Sequence, residues 1–391
     1  MAALYLDNAA STRISEPVLA AMTEVMRTAW GNPSSQHPQG VAARGHLETA
    51  RRRLLTALGD RPGDGRLGDI VWTSGCTEAD ALAVLGAAQL RTGAIVVSSI
   101  EHAAVGALAA RLGASRPVVF VDPGPDGVID PEAVARAAAG AAVVSIVMVQ
   151  NEIGALQPVA AIAQAVRRVN PTCHLHVDAA QAFGKIAIDV TALGADSIAL
   201  AGHKIHGPKG VGALWLRTGA VLEPLWVGGG QQGGLRGGTQ DAPSATGMGL
   251  AAEHAVAELP AQRTRWLALA ARITAILDAR GVAFRQLVPD ERRSPHILAL
   301  GIAGVPASAL RTVLASRGVY ISTGSACAER GARDGHGVPS PVLVAIGLAP
   351  DAGMCRLSFG HDTTEDEVEA AAQALADVAL ELRASQVRRP G

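Results

Sequence analysis

Apolar positions along the chain change period several times, and each change predicts an element. Leu4-Tyr5-Leu6 is strand-like and ends in the polar turn Asp7-Asn8. Over residues 16 to 30, Val18, Met22, Val25, Met26 and Trp30 recur at near-helical spacing until Gly31-Asn32-Pro33-Ser34-Ser35 breaks the run. A second helix is expected from Val41 to Leu58, then a loop from Gly63 to Gly68. From Ile70 to Leu216 the period alternates. Short apolar runs at Ile70-Trp72, Ala94-Ser98, Pro117-Val121, Ala142-Val149, Leu175-Val177, Ser197-Leu200 and Val211-Leu216 read as strands. Thr77-Leu90, Ala103-Leu112, Pro131-Ala139 and Pro158-Val169 between them read as helices. That alternation predicts an α/β fold with a mostly parallel seven-stranded sheet covered on both faces.

Beyond it, Gly228 to Gly238 is glycine-rich and reads equally as a spacer or a functional loop. A long helix, about Asp241 to Arg280, leads to a smaller α/β unit with strands near Ile297-Gly301, Val319-Ser322 and Met354-Phe359. A last helix runs from Thr364 to about Leu382.

Composition narrows the function classes. The chain has 391 residues, 49% hydrophobic and 18% charged, with a formal net charge of −1. The length favours two units. Near-neutral charge and 3% aromatics argue against nucleic-acid binding, and no apolar run reaches the length of a membrane span. The first residues lack the basic and apolar regions of a secretory signal. Cys76, Cys173, Cys327 and Cys355 are scattered without metal-binding spacing, as expected of reduced cytoplasmic thiols.

Three lysines, Lys185, Lys204 and Lys209, stand against 31 arginines. Guanidinium stays protonated, so chemistry that needs a neutral amine must use one of the three. Lys204 ends an apolar run beside His203 and precedes a glycine turn, which suits a desolvated Schiff-base nucleophile. Lys185 and Lys209 read as turn residues. Ser74-Gly75-Cys76-Thr77-Glu78 opens a helix after a strand, a place where backbone N–H groups receive phosphate or simply make an N-cap. Asp178 ends a buried-looking strand and needs a cationic partner. Lysine, phosphate site and buried carboxylate together are the three handles of pyridoxal 5′-phosphate.

With these in hand, the chain resembles the cysteine desulfurases of NifS/IscS type, within the class V aminotransferases. The resemblance runs from Tyr5-Leu6-Asp7-Asn8-Ala9-Ala10 through Gly31-Asn32-Pro33-Ser34-Ser35, Thr73-Ser74-Gly75, Glu101-His102, Asn151-Glu152-Ile153-Gly154 and His176-Val177-Asp178. It continues through Gly202-His203-Lys204, Gly207-Pro208-Lys209-Gly210 and Ser322-Thr323-Gly324-Ser325-Ala326-Cys327 to Arg356-Leu357-Ser358-Phe359-Gly360. It implies the pyridoxal-phosphate transferase fold of type I, with a large unit over 13–255 and a small one from 1–12 and 256–391 carrying the cysteine loop.

It further implies that Lys204 forms the Schiff base and moves the Cα proton, that His102 stacks on the ring, and that Asp178 holds the ring nitrogen. Gln181 would bond the phenolic oxygen. Thr77, His203 and the backbone of Cys76 would hold the phosphate, with Thr239 supplied by the second subunit of a homodimer. Asn151, Arg356 and Asn32 would grip the substrate carboxylate, and no metal is implied. L-cysteine would become L-alanine while Cys327 takes the sulfur for an acceptor or scaffold protein, serving iron–sulfur clusters, tRNA thiolation or another sulfur-bearing product. A selenocysteine lyase, another class V activity and a non-catalytic partner protein remain the alternatives. Against the family pattern, Ala201 replaces a serine, Gln150 an asparagine, and Cys76 an alanine, read as a small packing residue. The loop Ala328 to Gly337 is longer and more charged than usual.

Overall fold

A computed structural model describes residues 3–60, 67–324, 340–348 and 352–387. In chain order the strands are β1 (Leu4–Tyr5), β2 (Gly68–Thr73), β3 (Ile95–Ser98), β4 (Val118–Val121), β5 (Val143–Val147) and β6 (His174–Asp178). They continue as β7 (Ser197–Ala201), β8 (Gly212–Arg217), β9 (Phe284–Gln286), β10 (Ile297–Ile302), β11 (Val319–Tyr320) and β12 (Gly353–Ser358). The helices are α1 (Glu16–Thr28), α2 (Pro38–Ala57), α3 (Cys76–Gln89), α4 (Ala103–Leu112), α5 (Pro131–Ala138) and α6 (Val159–Val169). After them come α7 (Val190–Leu193), α8 (Ala242–Ala279), α9 (Ala307–Ser316), α10 (Pro341–Ala345) and α11 (Glu365–Val387).

Seven strands form the large sheet in the order β2-β8-β7-β6-β5-β3-β4. Only β8 runs against its neighbours β7 and β2, so the other six strands point the same way. β3, β5, β6 and β7 are buried along their whole length, apolar for the most part, with His174, His176 and Asp178 of β6 forming a buried polar face. A strand buried on both sides needs helices on both sides, and the alternating sequence supplies them. The expected parallel sheet is there, closed at one end by a reversed hairpin partner.

The second sheet, β12-β10-β9, is antiparallel. Its core gathers Leu298, Leu300, Leu357 and Phe359 with Leu259, Trp266 and Ile273 of α8 and Val368, Ala372 and Leu375 of α11. The first half of α8, Ala242 to Ala252, instead packs into the core of the large sheet. β1 pairs with β11, which fastens the N-terminus to the small sheet's side of the molecule.

Some expectations change. In α1 the buried stripe is Val18, Met22 and Val25, whereas Met26 is 56% exposed; the helix ends at Thr28, short of Trp30, which is 71% exposed. Lys185 sits in a turn, as expected, yet is buried with its ammonium 5.1 Å from the Trp266 ring centroid. The glycine-rich stretch is anchored: Gln232 exchanges hydrogen bonds with the Trp72 backbone, and Arg236 pairs with Glu78. β9, α9 and α10 were not anticipated, because each is short and lies in a segment of mixed period. Most of the loop Gly63 to Gly68, together with Cys327 and the charged loop after it, lies outside the described residues. No helix among the described residues is long and apolar enough to cross a membrane.

Candidate active site

The parallel strands deliver their following residues to one edge of the large sheet, the place where such sheets bind ligands. Ser74 to Thr77 leave β2, His102 follows β3, and Asn151 follows β5. Asp178 is the last residue of β6, and Lys204 lies three residues past β7. All of them line one cavity of about 450 Å³, with Ala10, Ser11, Asp80, Gln181, His203 and Lys209. Lys209, expected to be only a turn residue, therefore reaches the cavity wall.

Lys204 Nζ donates to the carbonyls of Ala9 (2.6 Å) and Ala10 (2.9 Å). Those carbonyls come from the N-terminal segment, which is tied down by Thr12. Its hydroxyl donates to His203 O and accepts from His206 N–H. His206 holds a left-handed backbone (φ 62°) and donates through Nδ1 to Arg13 O. Burial, then the positive charge of Arg356, lowers the Lys204 pKa to about 8. A lysine in that range offers a neutral amine near physiological pH, which a solvated lysine does not.

Asp178 is buried, and its Oδ1 accepts from Ala180 N–H at 2.9 Å. Gln181 donates to Ala9 O and meets His296 Nε2 through its oxygen. At the N-cap of α4, His102 accepts at Nδ1 from Ala104 N–H, so the neutral ring carries its proton on Nε2. Burial depresses its pKa, against the pull of Asp178. Burial also lowers His203, to about 4, so it is neutral and bonded to the Ser11 hydroxyl at 3.2 Å.

The N-terminus of α3 has Gly75 as its cap and no side-chain cap bond, which leaves first-turn N–H groups free beside the cavity. β8 approaches closely here. A Cβ on Gly212 would lie 2.5 Å from the Gly75 carbonyl carbon, so the packing at this helix end requires glycine.

Arg356 stands behind this wall, on β12. It donates to Asn151 O (2.6 Å) and to Asp7 (2.8 Å), and its buried Nε has no partner among the described residues. Asn32 and Thr239 are not in the Lys204 cavity of the single chain. They line a separate surface groove with Met26, Trp30 and Asp241. Sequence reasoning gave no role to Ala9, Ala10, Ser11 or Asp80. Ala9 and Ala10 act through carbonyls, which no side-chain pattern reveals, and Asp80 was hidden inside an ordinary helix.

A lysine with a lowered pKa, a buried carboxylate and an uncapped helix end on one cavity suit an α/β enzyme that works through a carbonyl group. Known proteins agree with that class. The aminotransferase class-V model matches residues 4–371, and the chain belongs to that family. It is 35% identical to a cysteine desulfurase of Gluconacetobacter diazotrophicus, over 98% of this chain and 95% of the relative. Among solved structures, a NifS-like protein superimposes with a TM-score of 0.87 at 31% identity, covering 97% of this chain and all of that one. A structure of SspA in complex with cysteine matches with a TM-score of 0.77 at 32% identity, over 91% of this chain and 98% of its own.

Proposed function

We propose that this protein is a pyridoxal 5′-phosphate-dependent cysteine desulfurase, converting L-cysteine and the Cys327 thiol to L-alanine and a Cys327 persulfide. The observation that carries this reading is the convergence of Lys204, Asp178, His102 and the free α3 N-terminus on one cavity. The relatives named above support the substrate.

The residues fit the cofactor. First-turn N–H groups at Cys76 and Thr77, the Thr77 hydroxyl and His203 would hold its phosphate. Asp178 would hold the ring nitrogen, Gln181 the phenolic oxygen, and His102 the ring face. When bound, the cofactor supplies an electron sink for the substrate Cα. Lys204 takes and returns the proton at that carbon, a task its lowered pKa allows. Arg356, assisted by Asn151 and Asn32, binds the substrate carboxylate with its planar fork. Asp7 occupies part of that fork, so the substrate competes with an internal carboxylate. Cys327 attacks the substrate sulfur: the Cβ–S bond breaks, an S–S bond forms, and the product is protonated to alanine.

The functional unit in this reading is a homodimer in which Thr239 reaches the partner's phosphate site. The groove joining Asn32, Trp30 and Thr239, with Trp30 largely exposed, supports it. The small unit, 1–12 and 256–391, carries the Cys327 loop; the separate core around Trp266 supports that division. A cytoplasmic setting rests on the unpaired thiols Cys76, Cys173 and Cys355. The sulfur passes onward to an acceptor protein for cluster, tRNA or cofactor synthesis.

The test is release of alanine and sulfide from cysteine. Lys204→Ala lowers turnover by at least ~10²-fold, the low end for loss of a proton-transfer group. Cys327→Ala abolishes persulfide formation. Wild-type turnover by either variant overturns the reading.

A further inference from the structure

Cys76 and Asp80 stand one turn apart on α3, beside Asp178. The Cys76 Sγ lies 3.5 Å from Asp178 Oδ1 and 3.9 Å from Asp80 Oδ1. Asp80 Oδ1 is also 3.1 Å from His176 Nε2. The His176 Nδ1 lies 2.9 Å from the Ser197 hydroxyl, which is 2.8 Å from His174 Nε2. Asp80, His174, His176, Ser197 and Asp178 are all buried. A polar line therefore runs from the core to the carboxylate assigned to the ring nitrogen.

Among the described residues, both donors to Asp178 fall on the same oxygen. Ala180 N–H and the Cys76 thiol each address Oδ1, which leaves Oδ2 for a further partner. We propose that Cys76 is a positioning residue for the cofactor: held between Asp80 and Asp178, its thiol donates to Asp178 Oδ1 and reserves Oδ2 for the pyridinium nitrogen. This rests on the pyridoxal phosphate reading.

Two other roles for this thiol fail on physical grounds. A nucleophile or sulfur carrier must ionise. Burial, then the charges of Asp178 and Asp80, push the Cys76 thiol well above its usual range, so it keeps its proton and acts as a donor. A plain packing residue would need no polar neighbours, and this one has carboxylates on two sides. Burial, then the charges of Asp178 and Glu101, also raise Asp80 well above its usual carboxylate range.

The experiment compares Cys76→Ala, Cys76→Ser and Asp80→Asn with wild type. Apoprotein is titrated with pyridoxal 5′-phosphate for the dissociation constant, and the pH midpoint of the bound cofactor's visible absorbance is recorded. Cys76→Ala weakens binding about 5-fold, the net worth of one ordinary hydrogen bond, and displaces the midpoint. Cys76→Ser restores both, to within about 2-fold in affinity, because its hydroxyl donates to the same oxygen. Asp80→Asn keeps the size of the side chain beside the thiol and stays within about 2-fold of wild type. The inference is overturned if Cys76→Ala matches wild type in both readouts, or if serine fails to rescue. A loss in Asp80→Asn as large as that in Cys76→Ala would place the effect in the cluster rather than in the thiol and overturn it too. If wild-type apoprotein takes up no cofactor, the cofactor reading falls and the inference with it. If wild type binds and the alanine variant equals it, only the inference falls.

Discussion

Lys204 makes the apoprotein's stability depend on pH in a direction that can be worked out beforehand. Its pKa is 10.5 in the unfolded chain and about 8 when folded, lowered by burial and then by Arg356. At ~1.4 kcal/mol per pH unit, the folded apoprotein pays ~3 kcal/mol below pH 8 to keep this ammonium charged. Between pH 8 and 10.5 the unfolded chain binds the proton and the folded chain does not, so stability from this group rises with pH across that window. Lys185 is also lowered to about 8 by burial, so the wild-type profile alone does not isolate Lys204. The comparison with Lys204→Met does so in the main, because Lys185 is common to both and the Lys204 charge is the last of the causes acting on it. Urea unfolding of the two apoproteins should show the variant gaining at pH 7.5, and its advantage should shrink by ~2 kcal/mol by pH 10. Loss of the bonds to Ala9 and Ala10 shifts the gap by a constant and leaves its slope intact. A gap that does not change with pH would refute the desolvated lysine on which the catalytic assignment depends.

Two further outcomes are expected. Arg356→Lys replaces a planar fork with a point charge and leaves Asn151 O and Asp7 to share one ammonium, so kcat/KM for cysteine falls ~10- to 100-fold, mostly through KM; steady-state kinetics check this. Glu101 is half-buried, accepts from Ser98 and Val147 at one oxygen, and desolvation of its carboxyl raises its pKa to about 8. The folded state therefore holds a proton that the unfolded chain releases above pH 4.5, and stability falls as pH climbs towards 8; Glu101→Gln should flatten that part of the profile in calorimetry.

Much of the site was legible because its chemistry is written in side chains at strand ends. Asp178 looked costly without a cation, and Lys204 was one of few amines available; the structure sets both on one cavity. Cys76 was read as packing, since its sequence neighbours are a glycine and a threonine. Only the fold brings Asp178, 102 positions away, to its sulfur. Met26 fitted helical spacing yet faces outward, because spacing places residues on a helix but does not choose which edge of the stripe meets the core, and Trp30 lies past the end of α1.

The sequence by itself determined the order of strands and helices, since periodicity and turn chemistry act over a few residues. It also determined the chemical inventory: one lysine, one acid and one cysteine suited to the reaction. The tertiary structure alone decided that β8 runs backwards between β2 and β7, that Ala9 and Ala10 turn their carbonyls to Lys204, and that a helix end meets the sheet edge at Gly212. Those depend on pairings between segments tens to hundreds of residues apart. Their free energy comes from burying surfaces against each other, which local pattern does not encode.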